Sequence, residues 1–216
     1  MRKIVVISAG LSTPSSTRLL ADQISDSVRR QITARGEAVD FTFVELRDLA
    51  GDLAQAMQTG AMPNEKLDEV KKALSEADAL VAVSPVFAAS YSGLFKMFFD
   101  VLDPDALTGM PVLIGANAGT ARHSLAIDYA IRPMFAYLKS QIVPTSVFAA
   151  SADFGADTEG QADAMPLSSR IRRAAAELAM MLRTAGAAAE DDEIVRVVRI
   201  AHGSLLAVLK GCAEGD

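Results

Sequence analysis

An open α/β domain, with five parallel strands and helices on both faces, is the fold the sequence predicts, and with the common doubly wound order 2-1-3-4-5 three of its strand-end loops would converge. Three observations predict it. Short, nearly continuous apolar runs alternate with longer segments of helical period, the pattern of strands buried on both faces by crossover helices. The links between them are short, which calls for a parallel sheet with right-handed crossovers. Loops rich in small and polar residues follow the first, third and fourth runs, at the strand ends where open α/β sheets bind ligands.

Lys3 to Ser8, KIVVIS, is the first strand. The turn and cap residues of Ala9 to Thr17 lead into a helix from about Thr17 to Ala34, with Leu19, Leu20, Ile24, Val28 and Ile32 inward and Gly36 as its C-terminal stop. Strand two, Val39 to Leu46, alternates in the manner of a sheet edge. Ala50 to Met57 suits a short helix, and Asn64 caps a better one that ends at Ala77. Ala79 to Val83 is strand three. It opens into a loop, SPVFAASYSG, before a helix carrying Leu94, Phe95, Met97, Phe98 and Val101. Strand four, Pro111 to Ala116, enters the loop NAGTARH. One long helix from Ser124 to Lys139 follows, kinked near Ile131 by Pro133. Ile142 to Ala149 is strand five. After a polar, Gly-rich stretch, Leu167 to Thr184 and Glu193 to Lys210 read as two further helices, the second belonging to a C-terminal extension. This divides the chain into a domain at 1–185 and an extension at 186–216.

Composition narrows the function. Net charge is -6 with no basic block, which argues against nucleic acid and anionic membrane surfaces as partners. No apolar run reaches the ~18 residues of a membrane helix, and the N-terminal run is too short for a secretion signal, so a cytoplasmic protein is expected. A single cysteine, Cys212, leaves no internal disulfide, and two histidines, His123 and His202, do not suggest zinc.

The three loops divide the binding chemistry among themselves. Ser12, Thr13, Ser15, Ser16 and Thr17 precede a helix, where backbone N–H groups and hydroxyls suit a phosphate monoester; the same residues also serve as ordinary caps. The segment lacks the Gly-Lys-Thr ending of a P-loop and the G-x-G-x-x-G of a dinucleotide site. Pro85, Phe87 and Tyr91 offer apolar surface for a flat ligand, or an anchor to their own core. Asn117, Ala118, Gly119 and Thr120 are small enough for close backbone approach, and Arg122 with His123 invites an anion. No nucleophile with its base, no carboxylate pair and no metal cluster stands out, so a bound cofactor has to carry any chemistry.

In PVFAASYSG from Pro85, SLAIDYAIRP from Ser124 and, more loosely, LSTPSSTR from Leu11, the chain resembles the flavodoxin-like NAD(P)H-dependent FMN reductases, especially those partnering two-component monooxygenases. The resemblance spans roughly residues 2 to 180. It implies that Ser12, Ser15, Ser16 and Thr17 hold the FMN phosphate. Pro85, Val86, Phe87 and Ala88 would line the ring, with Tyr91 and Ser92 nearby, and Asn117, Ala118, Gly119 and Thr120 would reach it from the third loop. The chain departs from the pattern at Asn117–Ala118, where Thr-Gly is usual, and at Ala88, where a basic residue is common. The resemblance further implies NADPH or NADH as hydride donor, no catalytic side chain, a homodimer or homotetramer, and a flavin-dependent monooxygenase as partner. The helix around Tyr129 and Pro133 is a candidate subunit contact. The alternatives are an FMN-dependent quinone or azo reductase and a flavodoxin-like electron carrier.

Overall fold

A computed structural model describes residues 1–59, 63–154 and 165–189. The sheet centres on β1 (Arg2–Ser8), whose core positions Ile4 to Ile7 are wholly apolar, as a strand covered on both faces requires. β1 pairs in parallel with β2 (Val39–Glu45) on one side and β3 (Ala79–Phe87) on the other. β3 pairs in parallel with β5 (Pro111–Ala118) and, through Val86 and Phe87, antiparallel with the two-residue β4 (Ser90–Tyr91). Beyond β5 lie β6 (Gln141–Ile142) and β7 (Val147–Ala150), both parallel to it. The order is therefore the expected 2-1-3-4-5 of a flavodoxin-like sheet, with the fifth strand in two pieces and one small hairpin added.

α1 (Ser16–Thr33) crosses one face of the sheet, burying Leu20, Ile24, Val28 and Ile32, whereas Leu19, expected inward, is 45% exposed because it falls beside the buried stripe rather than on it. Arg35, just past α1, donates to the carbonyl of Ala179 in α6 (Leu167–Ala189) at 2.6 Å. The opposite face is covered by α2 (Ala50–Thr59), α3 (Glu65–Ser75), α4 (Gly93–Asp100) and α5 (Arg132–Tyr137). There Phe99 meets Phe95 at 4.8 Å and Phe135 at 4.9 Å, edge to face, locking α4 to α5. Asn64 caps α3 as expected, its side chain accepting from the Leu67 amide at 3.1 Å.

Three further expectations change. The third strand does not stop at Val83: Ser84 to Phe87 continue it, and only Ala88 and Ala89 form the turn. The helix around Pro133 is not a single kinked rod from Ser124. A 3₁₀ turn at Ala121–His123 leads to a π-turn at Ile127–Ile131, which passes directly into α5. Proline has no N–H and its ring crowds the preceding turn, so the backbone widens one turn early instead of bending. The fifth strand is interrupted because Pro144 cannot donate to the ladder.

By its internal contacts the chain divides into units at Met1–Met180 and Met181–Asp216. The expected helix at Glu193 to Lys210, with Cys212 and His202, lies outside the described residues. Among the described residues no helix is long and apolar enough to cross a membrane, and no group of His, Cys, Asp and Glu could hold a metal ion.

Candidate functional site

Where β1 passes into α1, the backbone comes so close to the first helical turn that only glycine fits. A Cβ on Gly10 would lie 2.1 Å from Ser15 Oγ. Ser15 is the N-cap, accepting from the Arg18 amide at 3.2 Å, and Thr17 is buried behind it. Ser12 and Ser16 remain exposed, and the Thr13–Pro14 peptide between them is cis.

This loop has a second anchor. From the turn after β2, Arg47 donates through Nη1 to the Ser12 carbonyl at 2.8 Å and to Thr13 Oγ1. Its Nε pairs with Glu45 at 3.2 Å. Glu45 also accepts from Arg18 Nη1 at 2.8 Å, and the Arg18 guanidinium lies 4.4 Å over the Phe43 ring. The Asp22 carboxylate first, with Glu45, raises the pKa of Arg18 further, so its cation is fixed. Neither Arg47 nor Glu45 is conspicuous in the sequence, where a charge pair at a strand end looks like a solvated surface.

The wall that follows β3 is a tight hairpin. Ala88 and Ala89 have φ of 47° and 66°, both left-handed, which is the two-residue turn whose twist matches a hairpin. Ser84, fully buried, ties the hairpin at its base: its hydroxyl donates to the Pro85 carbonyl at 2.9 Å and accepts from the Ser92 amide at 3.0 Å. Ser92 in turn caps α4 by accepting from the Phe95 amide at 3.2 Å. The two aromatics then differ in role. Tyr91 is half-buried with its ring 5.9 Å from Phe95, an anchor to the core, whereas Phe87 is 46% exposed and offers free ring surface.

The third segment is also more regular than expected, since Asn117 and Ala118 still belong to β5. Asn117 stands opposite Pro85 in the sheet register. Its Nδ2 donates to Ser16 Oγ at 2.9 Å across 101 residues of sequence, joining the first and third segments directly. Asn117 Oδ1 and, at the end of β1, Ser8 Oγ are buried without a hydrogen-bond partner. Gly119 and Thr120 follow at the strand end, Thr120 exposed. Arg122 and His123 lie on the exposed 3₁₀ turn, and no hydrogen bond or ion pair among the described residues joins them to the other two segments.

The corner thus combines hydroxyls and amides at a helix N-terminus, an exposed aromatic ring, and an unpartnered carbonyl oxygen between them, a donor and acceptor set that fits a phosphorylated ligand with a flat apolar end. The chain as a whole is similar to known proteins. A family model described as NADPH-dependent FMN reductase matches residues 2–155. A Pseudomonas fluorescens protein named NADH-dependent FMN reductase SfnF is 33% identical over 84% of this chain and 92% of its own length. A Pseudomonas aeruginosa protein named FMN reductase (NADPH) is 35% identical over 80% of this chain and 88% of its own. The crystal structure of an oxidoreductase from Corynebacterium diphtheriae superposes with a TM-score of 0.78 at 53% identity, covering 85% of this chain and 98% of that one. With the family model spanning well over half of its residues, the chain belongs to the NADPH-dependent FMN reductase family of oxidoreductases, whose cofactors are FMN and NAD(P)H.

Proposed function

We propose that this chain reduces FMN with hydride from NADPH or NADH and releases the reduced flavin to a separate monooxygenase. The observation that carries the reading is the joining of the Ser/Thr helix start to β5 through Ser16 and Asn117, with the Phe87 hairpin alongside on β3. When bound, FMN supplies the hydride-accepting atom, N5 of its ring.

Ser12, Ser15, Ser16 and Thr17 hold the phosphate at the start of α1, where the helix dipole and free amides favour an anion. Pro85, Val86, Phe87 and Ala88, backed by Tyr91 and Ser92, present the apolar wall for the ring, and Asn117, Ala118, Gly119 and Thr120 approach it with backbone. Positioning and backbone dipoles supply the catalysis, with no side chain as proton donor. The partner role is supported by the resemblance that PVFAASYSG and SLAIDYAIRP carry. Assembly into a dimer or tetramer is supported by Tyr129 and Tyr137, which are 80% and 79% exposed on the π-turn and α5.

Purified protein mixed with NADPH or NADH and free FMN tests the reading by the loss of nicotinamide absorbance. Oxidation that depends on FMN, and light from an added luciferase-type monooxygenase, is the expected result. Binding of FMN without nicotinamide oxidation overturns it, and oxidation only with a quinone or azo dye present moves the chain to a different acceptor class.

A further inference from the structure

Asn117 carries two features that its place in a buried strand does not require. Two residues earlier, a Cβ on Gly115 would meet Val83 at 3.1 Å and Ile24 of α1 at 3.2 Å, so this face of β5 lies against α1. Side chains alternate along a strand, which puts Asn117 on that same face, at the first turn of α1. There its Nδ2 donates one N–H to Ser16 Oγ, while Oδ1 is buried with no partner in a residue only 7% exposed. A buried amide oxygen left unpaired is destabilising, and such groups in native proteins are nearly always satisfied.

The polarity of the pair restricts what completes it. An amide oxygen only accepts, and so do the oxygens of a phosphate dianion, so the two repel at contact. The group that meets Oδ1 is therefore a donor close to the phosphate but not the phosphate itself. In FMN the phosphate ends a polyol chain whose hydroxyls are the nearest donors, while the one N–H of the ring lies at the far end of the molecule. Ser16 is polarised the other way: having accepted from Asn117, its oxygen leaves its own proton to donate to an anion.

We propose that Asn117 reads the ribityl chain of FMN, accepting a hydroxyl proton through Oδ1 while its amide N–H turns the Ser16 hydroxyl toward the phosphate. The inference rests on the FMN site proposed above. One residue thereby couples recognition of the polyol to recognition of the phosphate.

Titration of FMN and riboflavin against wild type, Asn117→Ala and Asn117→Asp, followed by flavin fluorescence, separates the two ideas. Wild type that binds no FMN overturns the site itself. With FMN bound by wild type, Asn117→Ala weakens riboflavin by roughly 5- to 10-fold for the one lost polyol hydrogen bond, and FMN by more, because the orientation of Ser16 toward the phosphate is lost as well. Asn117→Asp keeps the shape and the acceptor but adds charge and removes the donor to Ser16. It weakens FMN at least ~10-fold and leaves riboflavin within about 2-fold. The visible spectrum of bound FMN is the same in both variants as in wild type. Unchanged riboflavin binding in the alanine variant, equal weakening of both flavins in the aspartate variant, no riboflavin binding by wild type, or a shifted spectrum of bound FMN each overturns the polyol assignment. If the alanine variant fails to fold, the FMN-to-riboflavin ratio of the isosteric aspartate variant decides alone.

Discussion

Arg47 Nη1 donates to the carbonyl oxygen of Ser12 at 2.8 Å, so the loop between β1 and α1 is held from the end of β2 as well as by its own helix cap. Arg47→Ala removes that strut and the contact with Thr13. A hydrogen bond from a charged donor is worth about 1.5–3 kcal/mol, and here much of it orders a binding loop. FMN affinity is expected to fall about 10-fold, with a smaller loss in Arg47→Lys. Calorimetric titration checks this, and a folded alanine variant with wild-type affinity would show that the loop holds itself.

Ser84 is the base of the hairpin, and its hydroxyl is both donor and acceptor inside the core. Ser84→Ala leaves the Ser92 amide buried without a partner, at about 1–3 kcal/mol. For a chain of this length each kcal/mol lowers Tm by about 2–4 °C, so a drop of several degrees is expected by thermal denaturation. Ser84→Gly, which loses the same hydroxyl, should fall at least as far.

Ala88 and Ala89 both carry a left-handed backbone, which costs an L-residue with a Cβ roughly 1–2 kcal/mol. Glycine relieves that strain but adds freedom to the unfolded chain, returning about 0.5–1 kcal/mol. Replacing the pair by Asn-Gly, the sequence this turn favours, is expected to raise stability by about 1 kcal/mol. Ala89→Val should lower it by more than that. Chemical denaturation midpoints measure both, and a destabilised Asn-Gly variant would contradict the strain argument.

Glu177 links α6 to the gap in the fifth strand, accepting from the Thr145 amide at 2.7 Å and the Thr145 hydroxyl at 2.8 Å. Burial pushes its pKa up, but the two bonds from Thr145 and the one from Arg173 outweigh burial and hold it below the usual glutamate value of 4.5. A depressed folded-state pKa contributes stability that is complete above about pH 4.5 and is lost as pH falls through the lower folded value. Glu177→Gln is therefore expected to cost stability at pH 7 and to flatten the decline below pH 4.5. Urea melts at pH 7 and pH 3.5 test this, and an equal loss at both values would remove Glu177 as a source of the acid sensitivity.

The fold was readable because its signals are local. KIVVIS, ALVAV and PVLIGA are apolar runs that only a sheet covered on both faces accommodates, and Asn64 stands where a cap must stand. The hairpin was not readable as a hairpin, because Ala-Ala carries none of the Gly or Asn that marks such a turn. Its strain is tolerated where Ser84, Ser92 and the Tyr91–Phe95 contact fix it from below. Pro133 announced a disturbance but not its form, since a kink and a π-turn relieve the same clash. The three loops of the candidate site were visible one by one. What joins them was not, because Arg47–Ser12 and Asn117–Ser16 bridge 35 and 101 residues and leave no mark on periodicity.

The break at Pro144 has a consequence for how this protein keeps its own company. An uninterrupted strand at a sheet margin is a template on which another chain can add its backbone. Here that margin is divided into Gln141–Ile142 and Val147–Ala150, and Arg132 reaches between them to Ser146 Oγ at 2.8 Å. An incoming strand meets two short stubs with a guanidinium between them, so cross-β stacking finds no continuous template there.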